Sequence, residues 1–82
     1  MKLYIPTAGL KCVVDGVYST PPETKSPLYS ATYVARQMNF DVRSSSLRGA
    51  TIVLEVSHGG DAEACAHWVG EELGVNVTLS RK

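Results

Sequence analysis

The chain predicts an α+β domain, and three observations in its last third carry that reading. Ala50, Ile52, Leu54 and Val56 alternate with Thr51, Val53 and Glu55, the period of a strand with one buried face. From Asp61 to Leu73 the apolar residues recur at helical spacing, and the pattern stops at Gly74. Val75, Val77 and Leu79 then alternate with Asn76, Thr78 and Ser80 as a further strand.

The remaining elements follow in chain order. Leu3 and Ile5 share one face of a first strand with Lys2 and Tyr4 on the other, and Pro6 limits it to an edge or an early end. Ala8-Gly9 reads as a turn. Leu10, Cys12 and Val14 alternate with Lys11 and Val13 up to Asp15-Gly16, a two-residue hairpin signal because both central positions take positive φ. Val17-Tyr18-Ser19 is the returning arm, and Thr20–Ser26, with Pro21 and Pro22, is a surface loop. Ser26-Pro27 starts a helix, since Ser caps free N–H groups and Pro at the first helical position forfeits no bond.

In that helix Ala31, Val34, Ala35 and Met38 fall on one face, and Asn39 ends it. Phe40 and Val42 return to period two and point inward, Ser44–Gly49 is polar and turn-prone, and Phe40–Val56 reads as a second hairpin. In the second helix Ala62, Cys65, Ala66, Val69 and Leu73 form the buried stripe, with Trp68 at its edge and Glu63, His67 and Glu71 opposite. Asp61 caps its start and Gly74 takes the left-handed position at its end. Two βαβ-like halves around an antiparallel sheet, both helices on one face, amount to the ferredoxin-like split βαβ arrangement with an extra N-terminal hairpin.

A length of 82 residues fits one domain, 1–82, with a core of limited size. Eight basic and eight acidic side chains cancel, which argues against nucleic-acid binding driven by phosphate neutralisation and against an acidic nucleic-acid mimic. The chain shows neither an apolar leader nor a run of membrane-spanning length, so a soluble, cytoplasmic protein is expected. Cys12 and Cys65 are too few for a disulfide scaffold; each sits among apolar residues as a small hydrophobe, with their pairing left open.

Leu3-Tyr4-Ile5 and Arg48-Gly49-Ala50-Thr51-Ile52-Val53 resemble the first- and third-strand motifs of the RNA-recognition family. That resemblance implies base stacking on aromatic rings of the sheet, but Ala50 and Ile52 stand where those rings belong. About twenty residues also separate the first strand from the first helix, more than that family uses.

Ser57-His58-Gly59-Gly60-Asp61 joins a strand to a helix start, where backbone N–H groups suit a small anion and Gly59 and Gly60 let it approach closely, while the Asp61 carboxylate competes for the same donors. Glu63, His67 and Glu71 at i, i+4 and i+8 form a solvated face, since three ligands on one straight helix hold a single metal poorly. No spacing marks a nucleophile with a base, a redox pair, a metal-ligand motif or a cofactor. Tyr29, Tyr33 and Arg36, at i, i+4 and i+7, make an aromatic-plus-arginine flank of the residue types enriched at binding hot spots, with Tyr18 and Trp68 as lesser members.

The expectation is a small non-enzymatic module that binds a protein partner, as an inhibitor or adaptor of the kind phages and mobile elements encode. An anion- or nucleotide-binding regulatory domain at Gly59-Gly60 is the alternative. The exposed last strand leaves edge-to-edge pairing, and so a homodimer, open.

Overall fold

A computed structural model of the chain describes residues 1–11, 13–14, 17–18 and 27–81. Strand β1 (Lys2–Pro6) is at the centre of the main sheet. It pairs antiparallel with β5 (Thr51–Ser57) on one side and with β6 (Thr78–Ser80) on the other. Strand β4 (Asp41–Arg48) continues the sheet beyond β5, giving the order β4-β5-β1-β6 among the described residues. Helix α1 (Pro27–Gln37) precedes β4, and α2 (Ala62–Leu73) connects β5 to β6. The fold is therefore α+β, with a four-stranded antiparallel sheet and two helices. Two short strands, β2 (Val13–Val14) and β3 (Val17–Tyr18), pair with each other as a separate ribbon. The Asp15-Gly16 turn between them, Cys12 and the loop 19–26 lie outside the described residues.

The expected faces of the central strands are the observed ones. Leu3 and Ile5 of β1 and Ile52, Leu54 and Val56 of β5 point to one side and are buried. Ala31, Val34 and Ala35 of α1 and Ala62, Ala66, Val69 and Leu73 of α2 close over that same side in one cluster, so both helices cover one face. The other face carries Tyr4, Val53, Glu55 and Thr78 toward solvent. Ile52 faces the core, so the base-stacking position of an RNA-recognition sheet is turned inward here.

Pro6 acts at the end of a central strand rather than on an edge strand. Val56 N–H donates to Met1 C=O and Thr7 N–H to Ala50 C=O, so odd residues of β1 bond to β5 and even ones turn toward β6. The missing N–H of Pro6 therefore faces the β6 side, just past the Tyr4–Thr78 pair where that ladder stops. As a consequence β6 is shorter than the alternation from Val75 suggests: residues 75–77 are not strand, although Val75 and Val77 still pack on the core.

Two further departures have local causes. β4 runs through the serines to Arg48, leaving only Gly49 and Ala50 as the turn, with Gly49 at φ 59°. The long pairing with β5 overrides the weak strand preference of serine. A bulge between Val42 and Ser44 also resets the alternation, so that Ser45 and Leu47 share the helix side with Leu54 and Ile52.

Both helix ends show the expected terminators. Asn39 adopts φ 68°, its N–H bonds Arg36 C=O, and Phe40 N–H reaches back to Ala35 C=O, the double-bonded left-handed cap. Asp61 accepts from Ala64 N–H at 3.1 Å, and Gly74 closes α2 at φ 74° with its N–H on Gly70 C=O. Gly70 has a separate role. A Cβ there would lie 2.6 Å from Val75 C=O and 3.4 Å from Val77 N, so the chain leaving α2 passes directly against the bare helix backbone.

Replacing Gly70 by Ala is expected to destabilise by about 1–3 kcal/mol, because overpacking against backbone outweighs the better helix propensity. Gly59→Ala, with open space around it, serves as the near-neutral control in chemical denaturation. Leu54→Ala should cost about 2–5 kcal/mol and Val53→Ala distinctly less, which tests the register of β5.

Candidate functional site

The α1 surface turned away from the core carries the feature singled out from the sequence. At 100° per residue Tyr29, Tyr33 and Arg36 fall within one turn-face, opposite Ala31, Val34 and Ala35. The two tyrosine rings stack, centroids 6.4 Å apart and planes inclined by 18°. Tyr29 is 38% exposed and Arg36 is exposed, while Tyr33 is half-buried and rests against the edge of the core. Tyr33 therefore anchors the pair and Tyr29 presents it. A ring that packs on a neighbour of its own helix has less freedom to lose when a partner covers it.

Trp68 is 57% exposed on α2, further out than a stripe-edge position suggests, and its ring meets His67 edge-on at 5.9 Å. Among the described residues its ring contact is with His67, while the Tyr29 ring stacks on Tyr33. The Tyr18 side chain lies outside them.

The turn before α2 holds an interaction that the sequence reading missed. His58 Nδ1 accepts from Gly60 N–H at 2.9 Å, which leaves Nε2 to carry the proton and donate to Met38 C=O at 3.0 Å. Its ring also tilts against Phe40 at 4.7 Å. The imidazole thus ties the C-terminus of α1 to the start of α2. At the Gly59-Gly60 turn, Gly60 N–H serves His58, and Ala64 N–H serves Asp61. Both glycines are exposed. A histidine followed by two glycines was the available signal for a ring folding back on its own turn.

On the exposed flank of α2, His67 Nε2 lies 3.5 Å from Glu71 Oε1, and Arg81 Nη2 lies 3.3 Å from Glu63 Oε1. Glu63, His67 and Glu71 are thus divided between two partners, and no group of three metal-ligating side chains forms among the described residues. Cys65 is a free, half-buried thiol against the core. No described helix is long and apolar enough to cross a membrane. Compared with protein-family models, with curated proteins and with solved structures, the chain matches none of them.

His58→Ala should cost about 1–3 kcal/mol by leaving Met38 C=O and Gly60 N–H without their partner. An unchanged urea midpoint would mean that solvent replaces the imidazole fully.

Proposed function

We propose that this chain is a small protein-binding module that works by contact rather than catalysis, as an inhibitor or adaptor. The observation that carries this reading is the stacked Tyr29–Tyr33 pair with Arg36 beside it, on the solvent side of α1. Tyr and Arg concentrate binding energy where they are desolvated by a partner, and a ring already held in place has little freedom left to lose. Within the same proposal the architecture is the ferredoxin-like split βαβ plus an added hairpin. Its support is the sheet order and the placement of each helix between two strands that flank a third. The neutral charge balance favours a protein over a nucleic acid as partner.

A small anion at Gly59-Gly60 is the alternative, and it would have to displace the His58 ring and the Asp61 carboxylate from their donors.

Affinity capture from host lysate, with and without nuclease, tests the leading reading when wild type and a Tyr29→Ala/Arg36→Ala variant are compared by mass spectrometry. Both substituted residues are exposed, so folding should survive. A stoichiometric protein that resists nuclease and is lost from the variant is the expected result, since a truncated hot spot costs about 2 kcal/mol or more. A partner retained equally by both proteins would place the interface elsewhere.

A further inference from the structure

The outer side of β6, the end of the sheet among the described residues, and the α2 flank beside it form a second surface, independent of the tyrosine pair. A groove of about 400 Å³ lies between α2 and the segment 74–77 that leads into β6, lined by His67, Gly70, Glu71, Gly74, Val75 and Val77. A second, of about 360 Å³, continues it past Glu63, Val77 and Leu79. The alternation along β1 turns Lys2 and Tyr4 toward β6, so their partners Ser80 and Thr78 bond inward. Leu79 therefore points its N–H and C=O outward, at the end of the sheet.

We propose that the occupant of this edge is a second copy of the same chain, with two β6 strands pairing antiparallel about Leu79. A twofold axis there is allowed by the ladder, because Leu79 of each copy exchanges both backbone bonds with its counterpart. Charge complementarity selects this occupant. Val77, Leu79 and Arg81 lie on the helix side of the strand, and Arg81 already reaches α2 at Glu63. Pairing about Leu79 brings Arg81 of one copy opposite Val77 of the other, at the groove that Glu71 lines. The C-terminal end of α2 adds negative potential there; its last turn has no basic residue of its own, and the Lys11 side chain packs against Gly74 at that end. Each copy thus offers the other's Glu71 an arginine that in the single chain holds Glu63, while Glu71 gains a guanidinium beside its own His67. The opposite edge, β4, carries a bulge and two arginines, features that discourage edge pairing.

Sedimentation analysis from micromolar to millimolar protein tests this directly. Wild type should show a monomer–dimer equilibrium. Glu71→Arg and Arg81→Glu should each weaken the dimer about tenfold or more, and the double swap in one chain should restore it. Both side chains are well exposed, and melts at dilute concentration confirm that the variants fold. Amide exchange by NMR should show the Leu79 N–H slowing as concentration rises. A monomer throughout the range overturns the proposal. So does a dimer indifferent to the single changes, a swap that fails to restore, or concentration-dependent protection confined to β4.

Discussion

The antiparallel pairing of β1 with β5 is the constraint on which the rest of the molecule depends. Leu3 faces Leu54 and Ile5 faces Ile52, so two central strands deliver a continuous apolar strip to one side of the sheet. Among the described residues, both helices bury their apolar faces in the cluster that this strip carries. The small residues of the helices, Ala31, Ala35, Ala62 and Ala66, allow their backbones to settle close to that strip. A core this size has few substitutes for any lost contact, so the strip of the two central strands and the helices' apolar faces stand or fall together.

The connections are fastened by unlike means at the two ends of the helical layer. At one end, His58 spans from the Met38 carbonyl, just past α1, to the turn before α2, while Phe40 packs against its ring. At the other, Gly70 lets residues 75–77 run against bare backbone, and Lys11 N–H bonds Leu73 C=O to hold the chain that follows β1. The surface of α1 that bears Tyr29 and Arg36 is thus presented by a helix fixed on its inner side and at its C-terminus. Rigidity in the support is what gives an exposed ring pair a defined direction.

Much of this was legible from local chemistry. The alternation of Ile52, Leu54 and Val56, the Asp61 cap, and the Asn39 and Gly74 terminators each depend on nearest neighbours, and the structure has them. The α1 flank was legible too, as a spacing, although the division between a half-buried Tyr33 and an exposed Tyr29 depends on what packs beside the helix. What escaped the sequence was set by distant partners. The place of β1 at the centre, the early end of β6 and the extension of β4 through three serines all follow from which strands meet. His58 escaped for the same reason, since Met38 is twenty residues away along the chain.

The bulge in β4 gives that strand one residue of slack. Val42 opposes Val56 and Ser44 opposes Glu55, with Arg43 as the extra member between them. A chain shortened by any one residue from Arg43 to Ser46 can close into a regular ladder and keep Leu47 opposite Ile52. β5 has no such reserve, because losing one residue there turns the apolar strip toward solvent. Length variation over the course of evolution should therefore accumulate on β4 while β5 keeps its count.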